Sequence, residues 1–590
     1  MDPHELLSTC EPFFQELLKK FGNGTATSIG ILHCGKTYFH GLSTKADATP
    51  DEDTVYLISS MTKPVVGLAI GILVSMGKFQ LDTPVGDIID LHLTCEHRNG
   101  EPVLIKDLLD HTTELWRSDR LWEMPDGYIG IKDKAVLLGL CEHIPRNRQY
   151  SKSSAFNNTR NYNNLAFAVL AMIIEQVTGM CWTEFIHAKI FDALGMTRST
   201  MDLSARRPQG NNAGSYSSRI TLDTNDLVTD GQDRAEFHQK LLERVRDTDL
   251  VAVPRPVPSS KCSDTTTYLG AACAVRSTVS DKLKFYAAYS SLFNKVPDRQ
   301  LTEFEAGALV ILDHIKSRAQ HPTCAYAGGW NIVNLPWDHV QRAPCADGDI
   351  YERMQSVAKY GIAGFQGKNE IWPFFHGDTN KSREAAWFHG GNMMGATSYA
   401  FVLPVRESAV VVLSDARSFV VDPAHLMATV LADCLYASLG QDGIRKTLDS
   451  ARLVSTHCAA YYLAEVANFE REIPTGEDEL ASAHTYRDFV GKYTYPEIGL
   501  SLEVLAKGDH LELRYATFQY PLRVVRQGGP NKVTMSFARP VDDLHVVGLG
   551  GKHSVRSRVY QITFLGDNRL MWTFEEVINE ETVFVKEVVA

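Results

Sequence analysis

The chain has 590 residues, more than one hydrophobic core ordinarily serves. Its 44% apolar and 22% charged residues are those of a folded globular protein, not of disordered, collagenous or low-complexity sequence. Lys and Arg number 59 against 71 Asp and Glu, a formal charge of −12, so the net field repels nucleic acid. Eleven cysteines, scattered without C-x-x-C pairs, do not read as a disulfide framework and point to a reducing compartment.

Residues Met1 to Glu5 carry no basic region leading into an apolar core, so no secretory leader is expected there. The longest apolar run, Pro64 to Met76 between Lys63 and Lys78, is shorter than the ~20 residues a bilayer span needs. The expectation is a soluble, cytoplasmic protein with no membrane partner.

Residues 26–33 and 37–41 read as a hairpin turning at Cys34-Gly35. Gly30 to Thr37 formally fits G-x-x-x-x-G-K-[ST], but a phosphate-cradling loop must run straight into a helix, and Tyr38-Phe39-His40-Gly41 favours strand. Nucleotide binding is therefore rejected. Helical periodicity covers 161–178 and 273–293, while 205–262 and 295–385 are polar and irregular and read as long insertions or lids. Residues 397–403 and 408–413 are expected strands joined by the turn at 404–407, and 424–472 looks helical. Beyond Ile473 to Asp478, short alternating runs (Leu500 to Leu505, Leu511 to Tyr515, Val533 to Phe537, Val559 to Phe564, Val583 to Val589) predict a small all-β, barrel-like domain.

No two of the 20 histidines stand two apart, and there is no H-E-x-x-H. His92, Cys95 and His97 lack a second ligand cluster and read as surface residues. S-x-x-K occurs three times. Ser75 and Lys78 flank Gly77, a helix stop, and Ser356 and Lys359 sit in a polar stretch with no apolar element behind them. Ser60 and Lys63 differ, because a strand-like run, Val55 to Ser59, precedes them and an almost wholly apolar, hence buried, helix follows. Residues three apart on a helix share a face, so Lys63 can reach the Ser60 hydroxyl at the positive end of the helix dipole. A lysine with a free pKa near ~10.4 is a poor base at neutral pH, and burial can lower it. The same pair also reads as a helix N-cap serine with a first-turn lysine.

Tyr162 alone among 22 tyrosines begins a Y-x-N triplet, Tyr162-Asn163-Asn164, ahead of an apolar helix. Further on, Trp387-Phe388-His389-Gly390-Gly391-Asn392 precedes the strand pair at 397–413, with glycines that let a substrate approach the backbone.

The order S-x-x-K, Y-x-N, H-G-G resembles the serine β-lactamase and penicillin-binding superfamily, in its class C-like branch with D-aminopeptidases, esterases and lovastatin-type acyltransferases. Ile105 to Leu115, Ile190 to Thr197 and Gly270 to Asp281 share the likeness, which covers about residues 20–435. The resemblance implies an α/β (α+β) fold: a β-lactamase/transpeptidase-like antiparallel sheet flanked by helices plus a helical subdomain. The expected division is a hydrolase domain over 1–440, a helical linker over 441–484 and a lipocalin-like β-domain over 485–590.

Carried over, the family's roles make Ser60 the acyl-accepting nucleophile, Lys63 its base partner and Tyr162 a second proton carrier. Asn164 would orient the substrate, and the backbone N–H groups of Ser60 and Asn392 would form the oxyanion hole. The H-G-G triplet, His389, Gly390 and Gly391, would line the substrate site. Many relatives carry Lys-Thr-Gly there, with a fixed positive charge for a substrate carboxylate. His389, with an unperturbed pKa near ~6.5, is mostly neutral at pH 7, so a carboxylate-bearing substrate is a less natural fit. The long polar approach to Tyr162, residues 150–161, is a second departure.

The resemblance implies no metal and no organic cofactor. The implied partner is a small acyl substrate, free or carrier-bound, in intracellular metabolism, with tailoring of a secondary metabolite as one such setting. A non-catalytic binding protein on the same fold, and an enzyme moving protons without acylation, stay open as alternatives, and oligomeric state is not legible.

Overall fold

A computed structural model describes residues 2–45, 49–95, 98–115, 119–122, 130–143, 162–201, 210–219, 234–257, 267–319, 325–335, 384–393, 395–418, 421–472, 480–516, 518–527, 532–537, 561–566, 568–572 and 583–587. Its central sheet has seven antiparallel strands in the order Lys36–Ser43, Ala26–His33, Ser408–Ser414, Ala396–Leu403, Glu384–Met393, Trp330–Leu335, Ala325–Ala327. The sheet thus joins the two ends of the first 420 residues, with Ile31 opposite Val410.

The run Ser-Ala-Val-Val-Val-Leu-Ser is buried on both faces. Val410 and Val412 pack with the helices Pro3–Phe21 and Pro423–Ala437. Val411 and Leu413 face the opposite cluster, which holds the helices Lys63–Ser75 and Val279–Asn294. A strand covered on both sides has no solvent face to mark with polar residues, which explains its unbroken apolar character. The expected hairpin turns at Cys34 and Gly35, with φ of +49° and +75° and His33 paired to Lys36. Two left-handed residues make the mirror-image turn that suits strand twist, and this leaves no helix start to cradle a phosphate.

Helix Lys63–Ser75 is buried along residues 63–73 and ends before Gly77, which has φ +70°. A Cβ on Gly67 would lie 2.1 Å from the carbonyl oxygen of Gly328, so only glycine lets the Ala327–Trp330 connection pass so close to this helix.

The stretches expected to be irregular are more ordered than the sequence suggests. They contain the helices Arg234–Asp247 and Glu303–Ala319, a small sheet strand pair Tyr216–Arg219 and Val253–Pro256, and two strands of the central sheet, Ala325–Ala327 and Trp330–Leu335. Helix Glu303–Ala319 buries Phe304, Gly307, Ala308, Ile311, Leu312 and Ile315 at helical spacing. Glu303, Glu305, Asp313, Lys316 and Arg318 lie outside that stripe, and reading 295–385 as one long polar stretch passed over it. The predicted helices over 161–178 and 273–293 start later, at Asn164 and Val279. Asn163 and Thr278 cap them by accepting the backbone N–H of Leu165 and Asp281.

At the C-terminal end, nine strands follow in the order Phe518–Pro521, His510–Tyr515, Leu500–Lys507, Gly491–Tyr495, Val583–Lys586, Arg569–Trp572, Gln561–Gly566, Val533–Ser536, Arg523–Gln527. The two outermost strands are separated in sequence by Leu522 alone, so the sheet must curl until its edges approach, giving a nearly closed barrel. It leans on the helical region: Ile498 packs against Gly139, and the Tyr515 hydroxyl donates to the carbonyl of Leu121 at 2.6 Å. Helix Gln441–Glu472 buries Ile444, Leu448, Ala451 and Val454 in the same cluster as Phe237 and Leu241 of helix Arg234–Asp247.

Candidate active site

Ser60 lies in a 3₁₀ turn, Ser59–Thr62, that runs directly into helix Lys63–Ser75. In a 3₁₀ turn residues three apart eclipse one another, and the Lys63 amine accordingly sits 3.1 Å from the Ser60 hydroxyl. Lys63 is fully buried. Its Nζ also donates to Asn164 Oδ1 at 2.7 Å and to the carbonyl of Ala272 at 3.0 Å. Two acceptors that carry no proton thus take two of the amine's valences and leave a third aimed at Ser60 Oγ, as an N–H of the ammonium or as the lone pair of the free amine. Ser59, the first residue of that turn, has φ +48°, a left-handed conformation that costs a non-glycine residue ~1–2 kcal/mol. Its hydroxyl is buried without a hydrogen-bond partner among the described residues.

Tyr162 is buried, and Nζ of Lys63 lies 4.5 Å from its ring centroid. Asn163 takes the capping position, which frees the Asn164 side chain at the first helical residue to face Lys63. The other end of that amide donates to Asp119 at 2.9 Å. His111 fixes the loop from below: its Nδ1 accepts the Asn163 backbone N–H at 3.1 Å and its ring stands 4.3 Å from that of Tyr162.

His389, Gly390, Gly391 and Asn392 occupy strand Glu384–Met393. Strand alternation turns His389 and Gly391 toward the Ser59–Thr62 turn and Gly390 and Asn392 to the other face. A Cβ on Gly391 would lie 2.2 Å from the Ile58 carbonyl oxygen and 3.0 Å from Ser59 Cβ, whereas one on Gly390 would meet the Tyr399 ring at 2.8 Å. The side chain of Asn392 is exposed. His389 is buried, with its Nδ1 2.7 Å from the Gly390 carbonyl and its Nε2 3.0 Å from the Tyr326 hydroxyl. A carbonyl only accepts, so Nδ1 carries a proton, and in the neutral form of the ring Nε2 accepts from the Tyr326 hydroxyl.

Ser60, Lys63, Tyr162, Asn164, His389 and Gly391 are therefore brought together, with the Tyr162 and His389 rings 6.3 Å apart. Sequence reading missed His111, Asp119, Tyr326 and the carbonyl of Ala272. His111 stood inside a quoted stretch without a role, and Tyr326 fell in a segment read as irregular. Ser356 and Lys359 of the rival S-x-x-K match lie outside the described residues, as do His97 and residues 150–161.

The sequence model of the Beta-lactamase family matches residues 14–432. The chain belongs to the beta-lactamase family. It is 29% identical over 204 residues to esterase EstB of Burkholderia gladioli, a match covering 33% of this chain and 52% of that one, so the chain spans about half the length of the curated relative it matches. Solved structures similar to it include an octameric penicillin-binding protein homologue from Pyrococcus abyssi (TM-score 0.48, 18% identity, 99% of this chain and 100% of that one). A class C beta-lactamase from Rhodobacter sphaeroides is similar as well (TM-score 0.45, 17% identity, 73% of this chain and 99% of that one). Among the described residues no single helix is long and apolar enough to cross a membrane.

Proposed function

We propose that the chain is a serine hydrolase or acyltransferase that forms an acyl-Ser60 intermediate on a small ester, thioester or amide. The observation that carries the reading is the Lys63 amine, buried and held by Asn164 and Ala272 with one valence directed at Ser60 Oγ. Membership of the family and the match to an esterase support ester chemistry.

In this reading the Ser60 O–H bond breaks toward Lys63 as Oγ attacks the substrate carbonyl. The oxygen that becomes negative is met by the backbone N–H groups of Ser60 and Asn392. The carbon–leaving-group bond then breaks, and the proton taken from Ser60 passes to the leaving group through Lys63 and Tyr162. In the second half the acceptor, water or an alcohol or amine, gives its proton to the same groups as it attacks the acyl carbon, and Ser60 regains its O–H. A histidine at this position, in place of a lysine, supplies no fixed positive charge, which favours acyl donors without a carboxylate there.

The test is intact-mass analysis after incubation with a fluorophosphonate probe and with a panel of aryl esters and thioesters, each with and without added alcohol or amine. Stoichiometric mass gain at Ser60, absent from Ser60→Ala, is the expected result. A folded protein that gains no mass with any donor refutes acyl chemistry and supports a binding role. Product partition between acid and acceptor adduct separates hydrolysis from transfer.

A further inference from the structure

We infer that Asp119 is a positioning residue of this site, and that the C-terminal barrel holds it there. The inference rests on the acyl-Ser60 reading. Asn164 stands between Lys63 and Asp119: its Oδ1 receives the lysine N–H at 2.7 Å and its Nδ2 donates to Asp119 Oδ1 at 2.9 Å. An amide has one accepting and one donating end. Lys63 directs an N–H at the amide whether amine or ammonium, and a carboxylate can only accept, so the two neighbours select the same orientation of the amide from opposite sides. Without the carboxylate, one side of that selection is lost. The amide can then turn its NH₂ toward Lys63, which removes one of the two acceptors that aim the lysine at Ser60.

Asp119 opens a single helical turn, Asp119–Trp122, too short to be stable by itself. Leu121 and Trp122 are buried, and the carbonyl of Leu121 accepts the Tyr515 hydroxyl at 2.6 Å. Tyr515 belongs to strand His510–Tyr515 of the barrel. Burial pushes the acidity of its phenol down, so it stays a donor throughout the working pH range. A path of hydrogen bonds and one short turn therefore runs from barrel to nucleophile: Tyr515, Leu121, Asp119, Asn164, Lys63, Ser60. This gives the C-terminal sheet a role in catalysis although none of the residues in that path from the sheet touches the substrate crevice.

The experiment measures the rate of Ser60 acylation by a fluorophosphonate and by an aryl ester in the full-length parent, Asp119→Ala, Asp119→Asn and Tyr515→Phe, with thermal melts of each. Asp119→Ala is expected to acylate about 10- to 100-fold more slowly, with the loss in kcat and little change in KM. Asp119→Asn keeps an oxygen that can accept from Asn164 Nδ2, so it should recover most of that rate. Tyr515→Phe should lose rate in the same sense by a smaller factor. Parent-like acylation in a folded Asp119→Ala overturns the inference and leaves the acyl-Ser60 reading standing. Loss in both Asp119 variants that merely tracks their melting points overturns it as well, by reducing Asp119 to a structural group. A parent protein that never labels at Ser60 refutes the underlying reading itself.

Discussion

Gly391 of the H-G-G strand packs against the Ser59–Thr62 turn, and Gly391→Ala tests whether that contact positions Ser60. The added Cβ would stand 2.2 Å from the Ile58 carbonyl oxygen, 2.3 Å from Ser398 Oγ and 3.0 Å from Ser59 Cβ. Ordinary contact begins at 3.4 Å, so strand and turn must separate by roughly 1 Å. The first obstacle is backbone and cannot swing away as a side chain would. Overpacking of this kind costs ~1–3 kcal/mol of stability. A ~1 Å misplacement at a reacting centre costs ~100-fold in rate, or about 2.7 kcal/mol in activation free energy. Stopped-flow acylation with an aryl ester, alongside thermal melts, should therefore show a rate loss near two orders of magnitude with a modest fall in Tm. Gly390→Ala is the matched comparison. Its Cβ would meet the Tyr399 ring at 2.8 Å on the opposite face, away from the nucleophile turn, and should cost stability with much less rate. Acylation by Gly391→Ala within about threefold of the parent would refute the argument. So would equal losses in both variants, which would assign the effect to general strand distortion.

Ser398→Ala removes the 2.7 Å hydrogen bond that ties strand Ala396–Leu403 to the Ile58 carbonyl, with Ser398 and Ile58 both buried. It should lower stability by ~1–3 kcal/mol in a denaturant titration and slow acylation without abolishing it; an unchanged midpoint and rate would show that the tie is dispensable. Lys282→Met addresses a fully buried amine whose Nζ rests over the Phe285 and Tyr286 rings and has no hydrogen-bond partner among the described residues. Burial lowers its pKa to about 7, against a smaller opposing effect of Asp281. The unfolded chain keeps that proton up to the ordinary 10.5, so between pH 7 and 10.5 unfolding takes up a proton and stability from this group rises with pH. Below pH 7 the whole penalty, on the order of a few kcal/mol, is present. Lys282→Met should therefore be more stable than the parent at pH 6, with the gain fading toward pH 10; melts that show a pH-independent difference would refute the assignment.

What could be read from the sequence was what neighbouring residues decide among themselves. The spacing of Ser60 and Lys63 fixes their adjacency in any helical turn, and the unbroken apolar run at 408–413 announces a strand covered on both faces. Asp119 and Tyr326 left no such trace. They meet Asn164 and His389 across 45 and 63 residues of sequence, and a hydrogen bond over that distance imposes no period on either segment. Helix Glu303–Ala319 was lost for a different reason, since the apolar stripe it turns toward helix Lys63–Ser75 is short against the long polar stretch, 295–385, in which it was read. The reading of Ser60 as a plain helix cap could be weighed only in three dimensions. A capping serine gives its oxygen to a backbone N–H of the first turn. Here neither the 3₁₀ turn nor the helix takes a side-chain cap, and Thr62, at the junction, accepts the backbone N–H of Val275 across the crevice. The Ser60 hydroxyl faces a buried amine instead. Capping therefore gives no account of a serine at this position, whereas the proposed transfer of its proton to Lys63 does, and Ser60→Ala should accordingly melt close to the parent while losing all covalent labelling.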